Sequence, residues 1–298
     1  MRRAYLPLAV VATLSPAASA GEFATNVLSY SPGSSPASGY TNPATALGAP
    51  ERFTGEGLFP QAVTPFQPAF GVSEIVSIGA GGSLTLAFGA PITDDPRNPW
   101  GIDLIVFGNS MFTDASWPLG FINGATADGG LVEVSADGVT WHTVPGVVAD
   151  GLFPTMGFVD AAPYSTTPGI VPTDFLLPID PAITLDSLSW LPYESVVAAY
   201  AGSGGGAGID LASVGLPSAI AIRIVVPPGA PFHVEVDAVA DVAPPGNAAD
   251  LDGDGAVGGS DLALLLSAFA TTGGSADLDG DGVVGGGDLS LLLAAWGA

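Results

Sequence analysis

The chain has 298 residues, and 48% of them are hydrophobic, so it carries enough apolar material to build a sizeable core. Its formal net charge is −24, with 29 acidic residues against five basic ones, which excludes nucleic acid and disfavours anionic membrane surfaces as partners. The absence of cysteine excludes disulfide scaffolds, thiol catalysis and Cys-ligated zinc.

Residues 1–20 have the three-part pattern of a secretory signal peptide. Two arginines lie near the start, an apolar stretch covers 4–14, and small residues precede a cleavage site expected between Ala20 and Gly21. The apolar stretch is too short to span the ~30 Å of a bilayer core, and no later segment is long and apolar enough. We therefore predict an exported protein, secreted or held at the cell surface, with no membrane span.

Residues 21–242 show the pattern of a mainly β domain. Alternating or continuous apolar runs predict strands at 83–88, 102–107, 131–135, 139–144, 219–226 and 233–242. Asp137 and Gly138 supply a hairpin turn, and a short helix is expected within 188–200. Because no strand–helix–strand rhythm is present, the pattern favours an antiparallel β-sandwich or jelly roll.

Three motifs of this domain carry a family resemblance. They read NPATALGAPE at 42–51, GIDLIVFGN at 101–109 and VEVSADGVTW at 132–141. Together they resemble a jelly-roll domain of bacterial secreted and cell-surface proteins, which is similar to the discoidin-like or galactose-binding-like fold. The resemblance implies recognition of a sugar or a surface, and a further structural calcium ion in the β-sandwich. Gly108 stands where the family usually has Glu.

The domain offers few residues for catalysis. We interpret His142 and His233 as ordinary strand histidines, and no Gly-x-Ser-x-Gly motif presents a nucleophile. We assign no catalytic residue, although two acidic residues facing each other would suit a glycosidase. Asp103 and Asp237 lie within apolar strands, where each either ligates a structural ion or bonds a turn.

The sequence around each tryptophan indicates whether it lies in a loop or in a strand. Trp100 and Trp117 lie among Pro and Gly in loops, which makes them the better candidates for stacking on sugar rings. Trp141 lies in an apolar strand pattern, and we interpret it as a core residue.

Residues 249–298 contain an internal repeat with an offset of 27 residues. The sequence DLDGDG occurs at 250–255 and 277–282, and each copy extends to D-x-D-x-D-G-x5-D, an EF-hand calcium loop with Asp in its twelfth position. Calcium prefers six to eight oxygen ligands, and Gly in the sixth position permits the turn that gathers them. The predicted ligands are the side chains of Asp250, Asp252, Asp254 and Asp261 with the carbonyl of Ala256, and the side chains of Asp277, Asp279, Asp281 and Asp288 with the carbonyl of Val283.

A helix is predicted after each loop. Apolar residues recur at i, i+3, i+4 and i+7, which indicates one apolar helix face in each copy. These residues are Leu262, Leu265, Leu266 and Phe269, and then Leu289, Leu292, Leu293 and Trp296. We predict that the two stripes pack together across a near-twofold axis, after a Pro-Pro-Gly linker at 243–248.

The two half-EF-hand repeats resemble the type I dockerin family. The resemblance implies a small α-helical module at 249–298 that binds two Ca²⁺ through the residues above and docks on a cohesin-like or cell-surface protein. The chain departs from the family in having Gly at loop position 9 and no basic residue in the module. We therefore expect a general calcium-dependent attachment module.

Three functions remain open from the sequence. The first, our working hypothesis, is a secreted non-catalytic binding protein whose β-sandwich recognises a glycan or cell-surface polymer and whose calcium module attaches it to a partner. The second is a polysaccharide-active hydrolase or esterase with its site on the sandwich. The third is a structural protein of the cell envelope.

Overall fold

The computed structural model describes residues 22–242, 249–251, 257–279 and 281–297. Strands account for 31% and helices for 15% of the chain, and the paired strands are antiparallel, so the fold is mainly β. The predicted signal peptide and linker lie outside the described residues, as do Asp252, Asp254 and Ala256 of the first calcium loop. Among the described helices, none has the length and apolar character needed to cross a membrane.

The chain divides into two compact units. The first unit extends as far as Asp94 and resumes from Ile102 to Val242. The second consists of Asp95–Gly101 and the residues from Ala243 onward. Trp100, one of the two tryptophans predicted to stack on sugars, therefore belongs to the second unit.

The first unit contains the strands. They are β1 Asn26–Ser31, β2 Phe53–Thr54, β3 Gln61–Ala62, β4 Val76–Ile78, β5 Ser83–Thr93, β6 Leu104–Phe107, β7 Met111–Asp114, β8 Ile122–Thr126, β9 Gly129–Ser135, β10 His142–Asp150, β11 Ala207–Ile209, β12 Ser218–Val225, β13 Val234–Val236 and β14 Ala238–Asp241. The largest sheet has the order β1-β5-β12-β9-β10, and a second has the order β11-β6-β14. Strand pairs β13-β4, β2-β3 and β7-β8 complete the described sheets.

The main core lies on one face of the large sheet. Inward residues of its three central strands are completely buried: Leu84, Leu86, Val132, Val134, Ile222 and Ile224. Arg223, between two of them, lies on the other face because side chains alternate along a strand. Its Nε donates to Glu133 Oε2 at 2.7 Å, and its guanidinium carbon lies 4.1 Å from the centre of the Trp141 ring. Trp141 is only half-buried there, so its interpretation as a core residue is wrong.

The β9–β10 hairpin differs from its prediction in where the second strand begins. Asp137 Oδ1 accepts hydrogen bonds from the backbone N–H groups of Thr140 at 2.7 Å and Val139 at 2.8 Å. These bonds stabilise the charged carboxylate and lower the pKa of Asp137 to about 2. They also hold both residues in the turn, so β10 begins at His142 and Val139 is 81% exposed.

The short helix expected within 188–200 is present as two helices. They are α1 Leu185–Leu188 and α2 Tyr193–Tyr200, and Pro192 lies directly before α2. Proline disfavours helical backbone in the residue before it, which explains the break. Helix α2 buries Val196 and Tyr200 in a second core cluster that includes Phe112 of β7.

The second unit contains two helices that obey the 27-residue repeat, α3 Gly259–Ser267 and α4 Gly286–Ala294. Its buried core consists of three pairs at that offset, Ala249 with Ala276, Val257 with Val284, and Leu265 with Leu292. The Ala270 N–H donates to the Val284 carbonyl at 2.8 Å, and the equivalent Gly297 N–H donates to the Val257 carbonyl at 2.9 Å. Each copy thus closes on the other, as a near-twofold arrangement requires.

The predicted apolar stripes of these helices are only partly buried. Leu265 and Leu292 are inaccessible, and Leu262 and Leu289 pack against them. The rest of both stripes is exposed: Leu266, Phe269, Leu293 and Trp296. Each helix has only nine residues, and the two helices bury one central pair of leucines between them. The prediction that the whole stripes pack together is therefore wrong.

Candidate metal centre and ligand surface

Three predicted calcium ligands meet in the second loop. Asp277, Asp279 and Asp281 each place a carboxylate oxygen within 4.8 Å of the other two. Backbone amides hold them there, since Gly282 N–H donates to Asp277 Oδ2 at 3.1 Å and Val283 N–H donates to Asp281 Oδ1 at 2.8 Å. Asp277 Oδ1 is buried and has no hydrogen-bond partner among the described residues. A buried acceptor without a partner costs about 1–3 kcal/mol, which a cation at this point would offset.

Glycines give this loop its shape. Gly282, in the sixth position, has a φ of +91°, a conformation that residues with a Cβ adopt at a cost. Gly287, in the eleventh position, lies against Asp279, and a Cβ added there would overlap the Asp279 carboxylate. Glycine at 287 therefore makes room for a predicted ligand.

The Asp in the twelfth position closes the loop onto the next helix. Asp288 is buried, and its Oδ1 accepts from Leu278 N–H at 2.6 Å and Asp279 N–H at 3.1 Å. Its Oδ2 accepts from Gly285 N–H at 2.5 Å. Hydrogen bonding of the charged form, foremost from Gly285, lowers the pKa of Asp288.

The first loop repeats this closure where it is described. Asp261 is buried, with Leu251 N–H donating to its Oδ1 and Gly258 N–H to its Oδ2, both at 2.7 Å. These partners are the equivalents of Leu278 and Gly285. Asp250 lies at the entrance of the same loop. The two loops therefore share one closing geometry.

The gathered residues fit calcium. Calcium takes six to eight oxygens at about 2.3–2.6 Å, and the loop supplies three adjacent carboxylates, one of them with a buried oxygen that lacks a partner. The predicted Val283 carbonyl follows these carboxylates in the chain, and Asp288 bounds the loop through backbone amides. The all-oxygen donor set is the one that a hard cation prefers.

Buried carboxylates of the first unit bond turns. Asp103 Oδ2 accepts from Leu211 N–H at 2.9 Å, and Asp237 Oδ2 accepts from Glu51 N–H at 3.1 Å. Burial, with the charges of Glu51 and Glu74, raises the pKa of Asp237 well above its usual range. The turn-bonding alternative is thus present for both residues.

Glu51 and Glu74 are functional candidates that the sequence did not single out. Burial, followed by the charges of Glu74 and Glu56, raises the pKa of Glu51 to about 7. Glu74 is buried, with Gly71 N–H donating to its Oε2 at 2.7 Å. A carboxyl group that exchanges its proton near neutral pH has the property that a general acid needs. Glu51 ends the motif at 42–51 and Glu74 lies outside the quoted motifs, so no motif contains both residues.

A cleft lined by the residues that follow Trp117 is a candidate ligand surface of the first unit. It has a volume of about 490 Å³, and Pro118, Leu119, Asp160, Tyr193, Glu194 and Val197 are among its lining residues. Trp117 is 74% exposed, and its ring centre lies 6.1 Å from that of Tyr164. The Tyr193 hydroxyl is buried and has no partner in the described part of the chain. Exposed aromatic rings beside polar groups suit a sugar, because its ring faces are apolar and its edges are polar.

No protein-family model and no curated protein matches this chain.

Proposed function

We propose that this chain is an exported, non-catalytic binding protein whose attachment to a partner depends on calcium. Its first unit acts as a β-sandwich of the jelly-roll type that recognises a glycan, and its second acts as a dockerin-like module with two Ca²⁺. The observation that carries the proposal is the group of three carboxylates at Asp277, Asp279 and Asp281, with one buried oxygen lacking a partner.

Calcium would neutralise charge that the module cannot neutralise itself. Residues 249–298 contain eight aspartates and no Lys or Arg. At each loop the carboxylates repel one another, so part of the calcium binding energy goes into folding. Asp277, Asp279 and Asp281 would hold the ion in the second loop, and Asp288 would fix the loop around it.

The exposed helix residues favour docking on a protein. Both copies leave the same three positions exposed: Leu264, Leu266 and Phe269, and then Leu291, Leu293 and Trp296. Large apolar side chains exposed together mark interaction surfaces. Since the module is acidic, we propose a cohesin-like or other cell-surface protein that presents an apolar surface bordered by basic residues.

Attachment should require both calcium and these apolar residues. With the mature chain and the cell-envelope fraction of the producing cell, we expect retention in Ca²⁺ and release by chelation. The double variant Phe269→Ser/Trp296→Ser should be retained at least about tenfold less, which corresponds to ~1.4 kcal/mol. The matched control is Val139→Ser/Ile170→Ser, which alters two exposed apolar residues of the first unit. Equal retention of all forms, or retention in chelator, would contradict attachment.

Trp117 supports glycan recognition as the second part of the proposal. In pull-down on insoluble polysaccharides, we expect Trp117→Ala to bind about tenfold more weakly, since an aromatic contact of ~1.4 kcal/mol is lost. The control is Trp190→Ala, because Trp190 is similarly exposed, at 68%. Equal loss in both variants would contradict a specific site. If the unaltered chain hydrolyses the polysaccharide and Glu51→Gln abolishes this activity, the result would instead favour the hydrolase alternative.

A further inference from the structure

Three potential metal ligands, Asp128, His233 and Glu235, lie together in the first unit, and the buried Asp150 lies close to them. Asp128 directly precedes β9, Asp150 ends β10 opposite Gly129, and His233 and Glu235 lie at β13. Asp128, His233 and Glu235 each place a ligand atom within 4.8 Å of the other two. His233 Nδ1 lies 2.6 Å from Glu235 Oε1.

Asp150 provides an independent sign of a bound cation. It is only 1% exposed, and its Oδ1 accepts from Ser110 N–H at 2.8 Å. Its Oδ2 is buried and receives no hydrogen bond from any described residue. Asp150 also pairs with Gly129, the neighbour of Asp128, and a Cβ added at Gly108 would lie 2.5 Å from Asp150 Oδ1 and 3.0 Å from the Glu235 carbonyl oxygen, so this carboxylate borders the same group.

The backbone makes room for this carboxylate. A Cβ added at Gly108 would lie 2.5 Å from Asp150 Oδ1, so the glycine after β6 leaves the space that Asp150 fills. The sequence shows Gly108 only as a departure from a family pattern. In the fold it is the position that admits a second buried acid beside Glu235.

In the described part of the chain, no arginine lies beside these carboxylates to balance their charges, and His233 is the basic side chain in contact with them. Every arginine of the described residues is engaged elsewhere: Arg52 donates to Gly157 O and Thr173 O, Arg97 pairs with Asp95, and Arg223 pairs with Glu133. The chain contains no lysine. Two buried carboxylates and a third nearby therefore depend on protons or on a metal ion for compensation.

We propose that Asp128, Asp150, His233 and Glu235 bind a divalent transition-metal ion, Mn²⁺ or Zn²⁺, that fastens β9, β10 and β13 together. Carboxylate ligands suit Mn²⁺, and an imidazole ligand favours a transition metal over Ca²⁺. This donor set differs from the all-oxygen calcium loops, so the two kinds of site should have different metal preferences. In a chain without disulfides, such an ion would tie together segments that are distant in sequence.

The two histidines make the site testable by NMR with Mn²⁺ as the probe. With the mature chain in excess Ca²⁺, substoichiometric Mn²⁺ should broaden the ring resonances of His233 and leave those of His142 sharp. Asp150→Asn, which keeps the side-chain shape and the Oδ1 acceptor, should weaken Mn²⁺ binding more than tenfold. His233→Ala, at a half-exposed side chain, should do the same, and His142→Ala is the matched control.

Equal broadening of both histidines would overturn the proposal, as would displacement of Mn²⁺ by Ca²⁺. Unchanged Mn²⁺ affinity in Asp150→Asn and His233→Ala would also overturn it. If Asp150→Asn does not fold, His233→Ala decides alone. Weakening the second calcium loop through Asp279→Asn should leave the His233 broadening intact, so this test is separate from the proposed attachment function.

Discussion

Replacing Asp279 with Asn should reduce the number of calcium ions bound by the second unit from two to one. Asp279 is one of three carboxylates within 4.8 Å of one another, and the amide side chain lacks the charge that attracts the cation. We expect the affinity of this loop to fall by at least about tenfold, or ~1.4 kcal/mol. Titration calorimetry of the mature chain measures both the stoichiometry and the affinity.

The same variant should not destabilise the calcium-free protein, because removing one of three crowded negative charges relieves repulsion. Its melting temperature in chelator should therefore equal or exceed that of the unaltered chain. Asp252→Asn, at the equivalent position of the first loop, should also leave one ion bound. Asp186→Asn, at an exposed aspartate of α1, is the matched control and should bind two. Unchanged stoichiometry in Asp279→Asn would remove the basis for the calcium assignment.

The grouped carboxylates of the second loop were accessible to sequence reasoning because they are local. Asp277, Asp279 and Asp281 lie within five residues of one another, and Gly282 permits the turn that follows them. The role of Asp288 was less accessible, because a spacing predicts that a residue lies near an ion but not which amides it accepts from. The structure places three backbone N–H donors on that carboxylate.

The helix faces show a limit of periodicity. The i, i+3, i+4, i+7 pattern correctly places Leu265 and Leu292 in the core, but it does not say how much of each stripe the partner covers. Phe269 and Trp296 match the pattern and are exposed. Coverage depends on how two short helices cross, which is a property of the pair rather than of either sequence.

The individual strands of the first unit were predictable from the sequence, but the way in which they pair was not. Local alternation indicates strands such as β5 and β12, while their pairing joins segments more than a hundred residues apart. Asp150 ends β10 and Glu235 lies in β13, a strand of another sheet, while Glu51 lies in no strand and donates its N–H to Asp237. No short motif contains either pair, so sequence reasoning could not bring its members together.

Replacing Asp288 with Ala should lower the calcium affinity of the second unit and should also destabilise its calcium-free form. The change removes the carboxylate that accepts hydrogen bonds from the Leu278, Asp279 and Gly285 amides. These bonds connect the loop to the start of α4. Mutation of a residue that orients metal ligands typically lowers metal affinity by about 10–100-fold, and we expect a decrease in that range. Calorimetry measures the affinity, and the far-ultraviolet circular dichroism of the mature chain in chelator measures the helix content.

The comparison with Asp279→Asn separates a ligand from a residue that fixes the loop. Both changes should lower calcium affinity, but only Asp288→Ala should also reduce helix content and melting temperature in chelator. Asp288→Asn should be intermediate, because its amide oxygen can still accept from Leu278 while its NH₂ group opposes the Gly285 N–H. Ser290→Ala, within α4, is the control for helix damage alone. If Asp288→Ala lowers calcium affinity without any effect in chelator, Asp288 acts as a ligand only, and the amide bonds at the loop entrance do not stabilise the calcium-free unit.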